Sequence, residues 1–169
     1  MTRRLFAFLL VMLFVGFASP GYSQTANDLF SSDVLQEIRL SVAPADWDAL
    51  RANPTDNAYY RATFTWRNIS LQNVAIRQRG LSTRNNTKPA LRVDFNHFQD
   101  GQEFLGLGSL GLDNNGQDAS MLKERVVMAL FARMGLPASR EVSSRLYVNG
   151  QYVRSEEHTS ELQSHHDLV

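Results

Sequence analysis

The sequence predicts an α+β domain with a mainly antiparallel sheet and one principal helix. Several short runs alternate apolar and polar residues with the period of two that is typical of strands. Residues 118–134 instead repeat their apolar residues with the period of a helix. Asn149-Gly150 lies between two β-prone triplets, and this dipeptide is the strongest short signal for a hairpin.

The first predicted elements are a strand and a short helix. Residues 38–42 alternate and end at Pro44, and residues 44–52 then suit a helix with proline at its first position. Residues 55–60 are predicted as a loop. Residues 60–67 alternate again, with arginines on the polar side, and predict a half-buried strand with a cationic outer face.

Two further strands and the principal helix follow. We expect strands at residues 74–79 and 91–95, the second of them after Pro89. Asp118 is predicted to cap a helix that runs to about Met134, where Gly135 ends it. Its apolar stripe consists of Met121, Leu122, Val126, Met128, Leu130 and Ala132.

A glycine pattern between these elements does not predict a dinucleotide site. Gly106, Gly108 and Gly111 have the spacing of the dinucleotide fingerprint. That fingerprint binds pyrophosphate only where a helix begins on its last glycines. Here the polar stretch LDNNGQD follows, so we interpret residues 106–111 as a flexible connection.

The amino-terminal segment predicts export. Arg3 and Arg4 precede an uncharged apolar run at residues 5–19, and small residues follow it. This is the pattern of a signal peptide spanning residues 1–23, with cleavage before Gln24. About 15 apolar residues are too few to span a bilayer. The expected location is therefore secreted or cell envelope, with no stable membrane anchor after cleavage and, because cysteine is absent, no lipoprotein anchor and no disulfides.

The carboxyl-terminal segment is predicted to be foreign sequence. Residues 154–169 are polar and do not continue the strand expected after Gly150, and residues 154–164 resemble a translated sequencing adapter. We therefore expect one native domain at residues 24–153, cut in mid-hairpin. Three of the four histidines lie in this tail, so we nominate no metal ligands.

A one-signed stretch is the strongest candidate site. The chain has 17 basic and 17 acidic residues, yet no acidic side chain lies between Asp56 and Asp94. Seven cations fall in that interval, namely Arg61, Arg67, Arg77, Arg79, Arg84, Lys88 and Arg92.

The end of this stretch has the chemistry that an oligophosphate requires. Gly80 can expose backbone amide donors, Ser82 and Thr83 add hydroxyl groups, and Lys88 returns just before the next strand. An ordinary hairpin with solvated cations on its outer face would have the same sequence pattern, and this alternative stays open. Nucleic acid is a poorer match because the rest of the domain is not basic.

Four segments in order resemble the amino-terminal part of the spore coat protein H (CotH) kinase-like family. They are IRLSVAPADWDAL (38–50), NVAIRQRGLSTRNNTKPALRVDF (73–95), DNNGQDASMLKERVVMALFARMGLP (113–137) and RLYVNGQYV (145–153). The resemblance implies a fold like the amino-terminal lobe of an atypical protein kinase. It also implies an activity that transfers phosphate from ATP, with a divalent metal (Mg or Mn), to serine of exported proteins.

The resemblance also implies roles for particular residues. Residues 79–83 correspond to a phosphate-covering loop, Lys88 to the lysine that contacts nucleotide phosphates, and Glu124 to the partner of that lysine, with Asp118 as the alternative. The implied nucleotide-binding set is Arg77, Arg79, Gly80, Ser82, Thr83, Lys88 and Glu124.

The catalytic and metal-binding acids of the family are expected beyond the hairpin, so we nominate no catalytic residue. We expect this stretch of chain to be inactive by itself. Two functions therefore stay open. One is the nucleotide-binding lobe of an exported kinase, and the other is a non-catalytic coat or surface module whose cationic strand face binds an acidic partner.

Overall fold

The computed structural model describes residues 23–81 and 84–153. The predicted signal segment up to residue 22, the predicted foreign tail at 154–169, and Ser82 and Thr83 lie outside the described residues. The elements in chain order are α1 (Ala26–Leu29), β1 (Gln36–Val42), α2 (Pro44–Ala52), β2 (Tyr60–Trp66), β3 (Ile69–Gln78), β4 (Leu91–Asp94), β5 (Ser109–Leu112), α3 (Lys123–Arg133), β6 (Ser144–Val148) and β7 (Gln151–Tyr152).

The seven strands form one mixed sheet in the order β5-β4-β3-β2-β1-β6-β7. All neighbouring pairs are antiparallel except β1 and β6. These two are parallel, and the chain between them is long, as parallel strands require, with α3 directly before β6. The predicted α+β class and the predominance of antiparallel pairs are confirmed.

One face of the sheet carries the hydrophobic core. The Phe64 ring packs edge-on against Phe95 and Phe104, with ring centroids 5.2 Å and 4.7 Å away. Leu29 from α1 and Leu50 from α2 join this cluster. Both helices and the loop that carries Phe104 therefore cover the same face, which leaves the opposite face of the sheet to polar side chains.

Two buried glutamines fasten the covering helices to the sheet. The Trp66 indole N–H donates to Gln36 Oε1 at 2.9 Å, and the Gln36 amide donates to the carbonyl of Asp28. The Gln78 amide donates to the carbonyl of Leu50 at 3.0 Å. Buried polar groups need such partners, so these bonds fix where α1 and α2 lie on the sheet.

Strand β3 begins earlier than the sequence predicts, at Ile69 rather than Val74. Ala62 pairs with Val74 and Phe64 with Leu71, so two residues of β3 oppose one of β2. This is a β-bulge, and Asn73 within it has a φ of 57°. A bulge breaks the period-two alternation, and the sequence pattern therefore did not predict a strand for the first half of β3.

The predicted flexible connection at residues 106–111 is wrong in its second half. Ser109–Leu112 forms β5, which pairs with β4 and is an edge strand of the sheet. Gly111 within the strand and Gly108 just before it hid the strand, because glycine is depleted in strands. No helix begins on these glycines, so the rejection of a dinucleotide fingerprint holds.

Helix α3 begins at Lys123, five residues after the predicted cap at Asp118. The Asp118 carboxylate nevertheless accepts the backbone N–H groups of Leu122 and Lys123, at 3.0 Å and 2.8 Å. At the other end, Gly135 has a φ of 73° and the Leu136 N–H donates to the Phe131 carbonyl. That bond is the mark of a Schellman motif, so the predicted stop is confirmed.

The apolar stripe of α3 is not buried. Leu122, Val126 and Leu130 are 49%, 61% and 53% exposed, and no residue of the helix is buried. The core face of the sheet is already covered by α1, α2 and the Phe104 loop, so α3 lies outside the core. Within residues 23–81 and 84–153, no helix is long and apolar enough to cross a membrane.

The predicted hairpin forms as expected. Asn149 and Gly150 have φ values of 51° and 81°, the positive values that its turn requires. The Asn149 side chain also accepts the Val42 N–H, and its backbone N–H donates to the Leu40 carbonyl, both at 2.9 Å. The hairpin is thereby tied to β1.

Candidate functional site

The cationic stretch follows the polar face of the sheet. Arg77 is half-buried between the buried side chains of Ile76 and Gln78, and Arg79, directly after β3, is half-buried as well. This agrees with the two-residue period, which predicts that the two arginines share a face. The partners of each cation decide whether it is available to a ligand, and they differ along the stretch.

The Arg84 side chain stabilises the loop that contains it. Its guanidinium donates to the carbonyl of Gly80 at 2.7 Å and to the side chain of Asn57 at 2.7 Å. It also reaches the carbonyls of Pro54 and Asp56. Gly80 has a φ of 91° at the point where the chain leaves β3. Arg84 therefore ties the described end of the 80–88 loop to the loop that follows α2.

Arg77 and Arg92 are paired across β3 and β4, and their guanidinium groups contact different partners. Their Cα atoms are directly paired in the ladder. Arg77 donates weakly to Asn57, at 3.4 Å, while Arg92 approaches Asp94 at 3.6 Å and Ser109 at 3.3 Å. The Asp94 charge thus already reduces the repulsion that a bound anion would relieve.

Arg61 and Arg67 lie on aromatic rings. The Arg61 guanidinium is 4.1 Å from the ring centre of Phe98, and that of Arg67 is 4.4 Å from Trp66. Cation–π contacts of this kind stabilise exposed arginines without an anion. For these two residues the ordinary solvated face is the better description.

A cavity of about 480 Å³ lies beside β5 and also borders α1, β1, β6 and β7. All four residues of β5 line it, together with the first turn of α3 and the segment between α3 and β6. Its volume is in the range of small-molecule sites. Its charged residues are Arg79, Asp113, Glu124, Arg125, Arg140, Glu141 and Arg145.

Arg79 is the cation of the stretch that reaches this cavity. No hydrogen bond and no ion pair within 4.0 Å joins its side chain to another described residue. Its charge instead acts on Glu141, whose pKa it lowers. The net pKa of Glu141 is raised, first by burial and then by the neighbouring Glu124 carboxylate and by Asp113. Arg79 thus faces a cluster of carboxylates rather than a single partner.

Lys88 lies next to the same cluster. Its side chain is partly buried, and burial lowers its pKa, while the negative charge of Asp113 opposes that shift. Its backbone is fixed on both sides, because its N–H donates to Asn85 Oδ1 at 2.6 Å and its carbonyl accepts the Asn114 amide at 2.8 Å. A lysine held in this way is a partly desolvated cation beside a carboxylate.

The structure brings together some of the nominated residues and separates others. Arg79 and Glu124 line one cavity, and Lys88 adjoins it through Asp113. Arg77 points elsewhere, and Ser82 and Thr83 lie outside the described residues. No ion pair joins Lys88 to Glu124 among the described side chains. Asp118, the alternative partner, is occupied by the start of α3.

Sequence reasoning missed Asp113 and Glu141. Asp113 directly follows β5, a strand that the glycines concealed. Glu141 lies in an irregular segment without periodicity, and its place near Glu124 depends on how the chain returns from α3. Only recognition of β5 could have pointed to Asp113, and no signal in the sequence pointed to Glu141.

The fold and the site together define an α+β domain with a cavity of mixed charge beside β5. The model of the CotH kinase protein family matches residues 76–157 of this chain. The resemblance is therefore confirmed over residues 76–157. The match includes Arg77, Arg79, Lys88 and Glu124 but not residues 38–50, the first of the four segments that carry the resemblance. No curated protein matches the chain.

Proposed function

We propose that this chain contributes the nucleotide-phosphate site of an exported CotH-type protein kinase. One observation carries the proposal: Arg79 lines a cavity together with the Asp113, Glu124 and Glu141 carboxylates and makes no tethering hydrogen bond to a described residue, and Lys88 is partly buried and acted on by the charge of Asp113. Guanidinium and ammonium groups placed in this way can bind phosphate oxygens by charge-assisted hydrogen bonds. ATP is the ligand proposed, and serine of exported proteins the acceptor.

The described residues fit the phosphate part of the ligand better than the metal. Among them, no group of three or more His, Cys, Asp or Glu side chains could hold a metal ion. We therefore assign no step to a metal. Arg79 and Lys88 would bind and orient phosphate, and the Asp113, Glu124 and Glu141 carboxylates would hold these cations until the nucleotide replaces them.

The test is the affinity of the 169-residue chain for ATP, measured by calorimetry. Lys88→Ala should weaken binding about tenfold to a hundredfold, the value of one charge-assisted contact. Lys123→Ala is the matched control, because Lys123 is the other lysine of the chain and is largely exposed. Equal affinities for the wild type and Lys88→Ala would contradict the proposal.

A second function is supported by the cations that do not line the cavity. Arg39, Arg61 and Arg77 each lie near an aromatic ring on the polar face, and Arg61 and Arg39 are well exposed. Such a face could bind an acidic partner without any catalysis. Arg61→Ala discriminates the two functions, since it should weaken binding to an acidic peptide but leave ATP affinity unchanged.

A further inference from the structure

The backbone conformation of Gly111 does not require glycine, so another feature of the structure must explain the residue. Gly111 is not among the glycines with positive φ, so an alanine would suit its backbone. Its two neighbours in β5, Leu110 and Leu112, face the core side by the two-residue period. Gly111 therefore lies on the polar face, where glycine weakens a strand without an evident gain.

The Arg79 side chain occupies the space where a residue with a side chain would have its Cβ. A Cβ built on Gly111 would overlap Nη1 of Arg79 and lie 3.1 Å from its Cζ and 3.8 Å from its Cδ. Arg79 directly follows β3, and its backbone N–H donates to the carbonyl of Ala90, the residue before β4. The side chain thus extends from the end of β3 as far as Gly111 of β5.

We propose that Gly111 is a positioning residue, whose missing side chain lets the Arg79 guanidinium lie across the edge strand and enter the cavity. This inference rests on the proposed function only for the identity of the ligand. A larger residue at position 111 would collide with the end of a flexible side chain, so Arg79 would move while β5 remained in place. The guanidinium would then leave the phosphate subsite.

The chain supplies a matched control. Gly108 precedes the same strand and also lacks a positive φ, but a Cβ there would meet only Asn96 Nδ2, at an ordinary contact distance of 3.7 Å. Gly108→Ala therefore adds the same methyl group to the same edge of the sheet without touching Arg79. The pair of variants separates displacement of Arg79 from a general effect of alanine in this region.

The first measurement is independent of nucleotide. Carboxyl NMR titration of the 169-residue chain reports the ionisation of Glu141, which faces Arg79, Glu124 and Asp113. Because Arg79 lowers the pKa of Glu141, both Arg79→Ala and Gly111→Ala should raise it by the same amount. The double variant should raise it no further, and Gly108→Ala should leave it unchanged. A Glu141 titration in Gly111→Ala that matches the wild type would overturn the proposal.

The second measurement adds the ligand. If Arg79 binds phosphate, Gly111→Ala should weaken ATP binding by the same factor as Arg79→Ala, about tenfold or more, and the double variant should lose no more. An altered Glu141 titration with unchanged ATP affinity would refute the proposed function but leave the positioning role intact.

A folding defect in Gly111→Ala would also be informative. In the Arg79→Ala background the space over β5 is open, so Gly111→Ala should cost no stability there. A defect that disappears in the double variant supports the overlap. A defect that persists in it overturns the proposal, because the alanine would then be clashing with something other than Arg79.

Discussion

Arg84 and Arg79 are five residues apart in one cationic stretch, yet their guanidinium groups are held in opposite ways. Arg84 donates to three backbone carbonyls and one amide side chain around its own loop. Arg79 crosses an edge strand toward carboxylates and makes no hydrogen bond to a described side chain or carbonyl. A run of like charges is therefore not one site. Where the acceptors are backbone carbonyls, the cation is part of the architecture.

Arg84→Ala tests whether Arg84 is a tether, and we expect it to have the largest effect on stability. Several carbonyls would lose a charged donor at once, and hydrogen bonds of this kind contribute about 1–3 kcal/mol to the free energy of unfolding. Partial exposure favours the lower part of that range. Urea unfolding of the 169-residue chain measures the loss.

Arg84→Lys is the informative companion variant. Lysine keeps the charge but lacks the planar fork that reaches several acceptors together. We expect most of the destabilisation to remain. If the lysine variant were as stable as the wild type, charge alone would explain Arg84, and its role as a tether would be wrong.

The second prediction concerns the carboxylates that face Arg79. The pKa of Glu141 is raised above the ordinary value of 4.5, mainly by burial and then by Glu124. The folded state therefore favours the protonated form, and this contribution to stability is present below pH 4.5 and lost as the pH rises through the folded pKa. Glu141→Gln keeps the neutral form at every pH. Its stability relative to the wild type should rise across that window.

Glu124→Gln sharpens the same measurement. Removing the neighbouring negative charge should lower the pKa of Glu141 toward its ordinary value, so the pH dependence of unfolding should become shallower. Wild type and Glu141→Gln profiles that run parallel from pH 4 to pH 8 would show that the cavity does not hold Glu141 as the structure describes.

Local signals in the sequence were enough for the elements whose ends are marked by particular residues. Pro44 and the spacing of Trp47 and Leu50 gave both ends of α2 correctly, and Asn149-Gly150 gave the hairpin. Both depend on backbone preferences that act within a few residues. Periodicity also gave the faces of the strands, but it gave no partner for α3, whose stripe is as regular as theirs and remains exposed.

The site was only half predictable for a different reason. Arg79 and Lys88 stand out in sequence because the stretch lacks acids. Their opposing carboxylates come from Asp113 and Glu141, which are 34 and 62 residues beyond Arg79 and are placed by the pairing of β5 and by the return from α3. A contact that depends on tertiary placement leaves no local pattern. The same holds for Gly111, whose role is visible only once Arg79 lies over it.

The smallest expected effect concerns Arg77 and Arg92, whose guanidinium groups are neither tethered like that of Arg84 nor available like that of Arg79. They are directly paired across β3 and β4, a position where like charges cost about 0.2–1 kcal/mol. Arg77 points toward Asn57 and Arg92 toward Asp94, so we expect a coupling below about 0.5 kcal/mol in a double-mutant cycle of Arg77→Gln and Arg92→Gln.

The coupling is measured by unfolding the variants at low salt and at about 1 M salt, because charge repulsion is screened at the higher salt concentration. A repulsion near 1 kcal/mol that disappears in salt would mean that the two guanidinium groups converge in solution. Phosphate binding would then extend from Arg79 to the rest of the polar face, and the division between tethered and available cations would fail.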